Sequence, residues 1–322
     1  MKNSDILIRD PKGKAGPGRA GLGKAWKYFW RMKYLYLLLL PAVIYYIVFK
    51  YIPMYGVVIA FKDFNFAKGI LGSPWIGFEN FRYLFALDNF YQVFRNSFVL
   101  SFIRLVWGFP MPIILALLLN ELGNLHYKRV IQTIVYLPHF IAWVVIGGII
   151  INFLSPSWGI VNQIIKELGG EAIFFLAKDE YFRTIIVASD IWKETGWGTI
   201  IYLAAMAGIN PELYEAAIVD GANKFQRIWH ITLPSIKGLI ILFLILNMGS
   251  ILSNGFEQIF ILQNSQNLSV SEVFETWVYR LGLLNGRFSF ATTVGLFTSV
   301  VGMIFLISAD LLAKKIGEEG IF

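Results

Sequence analysis

The run Gly18-Arg19-Ala20-Gly21-Leu22-Gly23-Lys24-Ala25 has the glycines and the lysine of a phosphate-cradling loop, and then departs from the pattern. Ala25 stands where a hydroxyl would hold Mg²⁺, no β-strand pattern precedes the glycines, and no Walker-type acidic residue follows in an α/β context. The run reads as a flexible basic tail, so no ATP binding in this chain is expected from it. Metal chemistry fares no better. His126, His139 and His230 are the three histidines and lie far apart, and cysteine is absent. Neither a clustered ligand set nor a thiolate site is expected.

Polar residues set into apolar stretches are more informative, because a charge or amide in such a stretch is costly and faces either a cavity or a partner. Asp190, Glu194 and Trp197 fall at i, i+4 and i+7, with Lys193 beside them. Asn247, Ser250, Asn254 and Gln258 fall at i, i+3, i+7 and i+11, with Glu257 alongside. Hydrogen-bonding groups next to an aromatic face are what a sugar requires for its hydroxyls and its C–H surface. Two readings stay open for each stripe. The first can be an internal ion-pair set, and the second can bond neighbouring helices; alternatively, both line a path. Arg104 is a further candidate for gating or pairing, or it snorkels to a surface. His139 reads as a helix-contact residue rather than a proton relay.

Long apolar elements must position these groups. The chain has 322 residues, 57% of them hydrophobic and only 15% charged, against about a quarter charged in soluble domains. Six segments are long enough to span a bilayer, at about 34–60, 97–119, 130–154, 184–206, 238–262 and 290–312. Prolines 41, 53, 110, 112 and 138 lie within the first three, tolerated where neighbours satisfy the freed carbonyls. The expected fold class is an all-α membrane protein with six transmembrane helices. A basic arm, residues 1–33, precedes the membrane domain at 34–315, and a short tail, 316–322, follows it.

Lysine and arginine are denser in 1–33, 120–129, 207–237 and 313–322 than in the longer intervening pieces. The positive-inside rule therefore places both termini in the cytosol. The net charge of +7 is concentrated in the arm and suits anionic lipid headgroups; no base-stacking or base-reading pattern accompanies it, so nucleic acid is not an expected partner. Phe81, Leu84, Phe85, Phe90, Val93 and Phe94 recur near helical spacing between the first two spans, as an amphipathic helix at the outer interface would. Residues 159–169 repeat the pattern on a smaller scale.

The stretch Asn210–Pro234, NPELYEAAIVDGANKFQRIWHITLP, lies between the fourth and fifth spans. Asn210 caps a helix with Pro211 in its first turn, and Glu212 and Glu215 favour that same end. Gly221 supplies a corner, and Pro234 is expected to stop a second helix whose Phe225, Ile228, Trp229 and Ile231 form an apolar face. Glu215 beside Ala216 and Ala217 permits close approach of another protein surface, with the glutamate available to a cationic partner.

Glu215-Ala216-Ala217, three residues, Gly221, nine residues, then Ile231-x-Leu233-Pro234 resembles the EAA signature of ABC-importer permeases. Ile191-Trp192-Lys193-Glu194-Thr195-Gly196-Trp197, Tyr202-Leu203-Ala204-Ala205, Gly77-Phe78-Glu79-Asn80-Phe81 and Arg95-Asn96-Ser97 resemble the maltose-permease-like carbohydrate branch, closest to its polysaccharide and oligosaccharide members. The resemblance covers about 34–315. It implies a type I importer transmembrane fold in the bacterial cytoplasmic membrane and a non-catalytic role. It also implies a second homologous permease subunit, a cytosolic ATPase dimer that holds the ATP and Mg²⁺, and an extracytoplasmic solute-binding protein. By the same resemblance, the loop 207–237 is the coupling loop, with Glu215, Ala216, Ala217, Asp220 and Gly221 docking into the ATPase. An oligosaccharide is the implied substrate; Arg104 and Lys193 would suit a uronate-containing one. An ion-coupled secondary transporter would explain the intramembrane carboxylates but not the loop, and a membrane enzyme would need a nucleophile–base pair or metal cluster that the sequence lacks.

Overall fold

The computed structural model describes residues 30–318 and 320–322, so the glycine-rich run and nearly all of the basic arm lie outside the described residues. The described regular structure is helical apart from one isolated bridge between Lys62 and Trp75. Two compact units divide the chain after Gly56. The first is the greater part of a long apolar helical run, α1 (Lys33–Phe61), with Pro41 inside it and a π-turn at Ile47–Tyr51 ahead of Pro53.

In the second unit, α2 (Glu79–Ala86) is followed by α3 (Phe90–Asn120), α4 (Leu125–Phe140) and α5 (Trp143–Phe153). Then come α6 (Ile160–Glu167), α7 (Asp179–Ala207), α8 (Pro211–Val219) and α9 (Lys224–Gly249). Last are α10 (Phe256–Leu262) and α11 (Phe288–Lys315). Helices α1, α3, α9 and α11 are long and apolar enough to cross a membrane, and α4 with α5 makes a fifth if the bent pair is one span. Helix α7, at 29 residues, is long enough at 1.5 Å per residue but carries charged residues from Asp179 to Glu194.

Three expectations need correction. The third span is not continuous: α4 and α5 meet at 97°, because Pro138 sits in a 3₁₀ turn and Ile141 and Ala142 are extended. The fifth span does not start at 238 or run to 262. Its helix begins at Lys224 and passes through Pro234, since a π-turn at Ile228–Thr232 ends one residue, Leu233, ahead of the proline and accommodates its missing donor. That helix ends at Gly249, and Gly255, at φ +75°, turns the chain into the separate helix α10. Finally, the apolar repeat at 81–94 does not lie wholly at an interface. Leu84 and Val93 are buried in a core with Leu252, Phe274, Trp277 and Val294, so this face turns into protein.

The site is positioned by two close packings. Helix α7 lies along the second half of α3, and α10 lies against α5. At the bend, Gly196 of α7 sits so near α4 that an added Cβ would be 1.9 Å from the Val135 carbonyl oxygen. Backbone, not a movable side chain, occupies that space. We expect Gly196→Ala to destabilise the solubilised protein by about 1–3 kcal/mol, the usual range for overpacking, read as a lower thermal midpoint. An unchanged midpoint would show that the two helices do not approach so closely.

Candidate functional site

Helices α3, α7 and α9 line an open cavity of about 400 Å³. Helix α7 is unbroken, so Asp190, Glu194 and Trp197 share one face as their spacing predicts, and all three line the cavity. From α9 comes Asn247, with Ser250 just past its end, and from α3 come Ser101 and Arg104. Ser101 and Tyr202 also line it; Tyr202 stood out in sequence only as part of a family-like run, and Ser101 did not stand out at all.

Trp197 is 45% exposed and stacks on the His139 ring at 4.4 Å between centroids and 4° between planes. His139 Nδ1 lies 2.8 Å from a Glu194 carboxylate oxygen. The imidazole thus backs the indole from behind while Glu194 fixes the imidazole, leaving one aromatic face presented at a set angle. The carboxamide of Asn247 donates to the Phe243 carbonyl at 2.8 Å, which leaves its oxygen and second N–H available to a solute.

Asn254 and Gln258 are placed differently. Because α9 ends at Gly249, the four-residue stripe Asn247, Ser250, Asn254 and Gln258 never forms one face. Asn254 and Gln258 are buried. The Asn254 amide donates to the Ser97 carbonyl at 3.1 Å, and that of Gln258 donates to the Ile186 carbonyl at 2.8 Å and Ser189 at 2.9 Å. These two bond helices together rather than line the cavity.

The cationic pair does not assemble either. Arg104 lines the cavity, yet its guanidinium donates to the Asn254 carbonyl and to the Gln258 side-chain oxygen, and its Nε is 3.6 Å from Asp190. It bonds inward and does not snorkel. Lys193 is 5% exposed and donates to the His139 carbonyl at the helix bend, with its ammonium 5.6 Å from the Trp143 ring centroid. That carbonyl lost its helical partner at the break, and the lysine supplies one. Lys193 therefore pins the bend and is not among the cavity-lining residues. Beyond the spans, burial pushes the Glu272 carboxyl upward, opposed by its partner Arg280.

At the far end of α9 lies the elbow. The Asn210 side chain accepts from the Glu212 N–H at 3.1 Å, with Pro211 at the first helical position. Ala222 N–H returns to the Ala217 carbonyl at 2.8 Å, and Gly221 N–H to Ile218 at 3.0 Å, which requires Gly221 at φ +79°. Asn223 and Gln226 then cap α9 reciprocally. Glu215, Ala216, Asp220 and Gly221 are exposed, whereas Ala217 is half-buried.

Residues 91–318 match the family described as binding-protein-dependent transport system inner membrane component. The protein LplB of Bacillus subtilis (strain 168) is 48% identical over 304 residues, 94% of this chain and 96% of that one. The polygalacturonan/rhamnogalacturonan transport system permease protein YteP of the same organism is 47% identical over 292 residues, 91% of each. A chain from the crystal structure of a bacterial ABC transporter involved in the import of the acidic polysaccharide alginate superposes with a TM-score of 0.84. It is 42% identical and covers 92% of this chain and 100% of that one. A second such structure, in complex with an alginate pentasaccharide-bound periplasmic protein, gives 0.84 at 41% identity over the same shares.

Proposed function

This chain belongs to the binding-protein-dependent transport system inner membrane components, and from that premise we propose that it is the permease subunit of an ATP-driven importer of oligosaccharides, uronate-containing ones among them. The substrate reading draws on the relatives that carry polygalacturonan, rhamnogalacturonan and alginate. The observation that carries it is the cavity: a braced indole, Trp197, opposite free hydrogen-bonding capacity on Asn247 and Ser250. Aromatic surface and polar groups on facing helices suit a sugar's C–H face and its hydroxyls.

Glu215, Ala216, Asp220 and Gly221 would seat against a separate cytosolic ATPase dimer, which would bind the ATP and Mg²⁺, with Ala217 supporting them from the inner face. Both termini would be cytosolic. A second homologous permease subunit would complete the pathway, and an extracytoplasmic solute-binding protein would deliver the sugar. Closure of the ATPase dimer would move the elbow, and α9 would carry that movement to the cavity it lines. An ion-coupled secondary transporter would leave the elbow without a role.

Trp197→Ala tests the substrate site. In vesicles holding the assembled importer, uptake of a labelled oligosaccharide at low concentration should fall about tenfold through loss of the aromatic contact, and Trp197→Phe should restore much of it. Uptake that is unaltered in Trp197→Ala would remove the cavity from the substrate path.

A further inference from the structure

Helix α8 is nearly detached from the rest of the fold. Of its residues only Tyr214, Ala217 and no others are even half-buried, so packing alone gives it little hold on the membrane helices. Sequence connects it to α9 through residues 220–223, a corner built around a glycine. A corner of that kind is a hinge unless something braces it.

One side-chain hydrogen bond crosses the corner. The Tyr214 hydroxyl lies 2.9 Å from Thr232 Oγ1, and Thr232 is fully buried. Among the described residues no other side-chain hydrogen bond joins α8 to α9. Thr232 closes the π-turn Ile228–Thr232, the irregularity that lets Pro234 stay within a continuous helix. The bond thus reaches past the corner to the point where α9 becomes regular. From Thr232 the helix runs unbroken to Asn247 at the cavity, about 22 Å away at 1.5 Å per residue.

We propose that the Tyr214–Thr232 hydrogen bond is a strut that makes α8 and α9 move as one body, and that Tyr214 is a positioning residue for coupling rather than a docking contact. This rests on the coupling role proposed for the elbow. The geometry separates the two duties on one short helix. Tyr214 and Ala217, three residues apart, share the inward face, while Glu215, Ala216 and Val219 stay exposed for a partner. Without the strut the ATPase still grips α8, but part of its displacement is spent bending the corner at Gly221 instead of shifting α9.

The test uses the complete importer, with both permease subunits, the ATPase dimer and the binding protein, in proteoliposomes with a labelled uronate oligosaccharide. Tyr214→Phe removes one hydroxyl and keeps the ring. We expect the ATPase to co-purify in unchanged proportion, the thermal midpoint to stay near that of the parent, and sugar imported per ATP hydrolysed to fall about two- to tenfold, the span of a lost side-chain hydrogen bond. Thr232→Val should lower that ratio equally, Thr232→Ser should preserve it, and the double variant Tyr214→Phe/Thr232→Val should be no worse than either single change. Loss of ATPase from the Tyr214→Phe complex would overturn the proposal by making Tyr214 a docking contact. An unchanged ratio in Tyr214→Phe would also overturn it. If Glu215→Lys with Gly221→Pro abolishes transport at the same time, the strut alone is wrong; if that pair transports normally, the coupling role beneath it fails as well.

Discussion

Uptake by vesicles carrying Glu215→Lys together with Gly221→Pro is expected to fall by about two orders of magnitude, the scale of breaking a desolvated charge pair at an interface, while the protein still inserts. Two independent defects combine. Reversing the charge at Glu215 would turn the attraction proposed for a cationic partner surface into repulsion. Proline at 221 fixes φ near −65° where the corner needs +79°, and it removes the N–H that Gly221 donates to Ile218. Neither change touches a membrane helix. The measurements are sugar uptake and ATP hydrolysis by the assembled complex, beside the amount of chain in the membrane fraction. Normal uptake would refute the docking role given to Glu215, Ala216, Asp220 and Gly221.

The second large effect is expected at Arg104. Its guanidinium ties α3 to Asp190 on α7 and to Asn254 and Gln258 beyond the end of α9. Arg104→Met strands a carboxylate that is only 27% exposed, along with two oxygens that have lost a donor. Removing one partner of a buried pair costs about 3–5 kcal/mol. We expect the solubilised protein to lose stability on that scale, seen as a lower thermal midpoint. Arg104→Met with Asp190→Leu should recover much of the loss, because no charge is then left alone. A single variant as stable as the parent would show that solvent in the cavity already screens Asp190. Transport should drop in Arg104→Met for acidic and neutral sugars alike, since both terminal nitrogens of the guanidinium already donate to Asn254 and Gln258 and its charge faces Asp190; selective loss of acidic substrates would return Arg104 to a recognition role.

The division of labour among polar residues explains why some positions were legible in sequence and others were not. Asp190, Glu194 and Trp197 lie on a helix without a break, so a spacing of 3.6 residues was enough to put them on one side. The same arithmetic failed for Asn254 and Gln258, because it assumes the helix continues, and here Gly249 ends it and Gly255 reverses it. Pro234 misled in the opposite direction: it signals a stop, but a π-turn just before it accommodated the ring and the helix went on. Lys193, adjacent in sequence to the cavity stripe, points instead at a carbonyl freed by the bend in another helix. Nothing in its own neighbourhood announces that bend, apart from Pro138 some fifty residues earlier.

Sequence alone determined the lipid-facing composition, the cap and corner of the elbow, and the family signature, because each depends on residues within a turn or two of one another. Tertiary structure alone decided which polar groups face the cavity, which of them fasten helices together, and that Tyr214 meets Thr232. Those outcomes depend on where helices break and how closely they pack, and both are set by contacts between segments far apart in the chain.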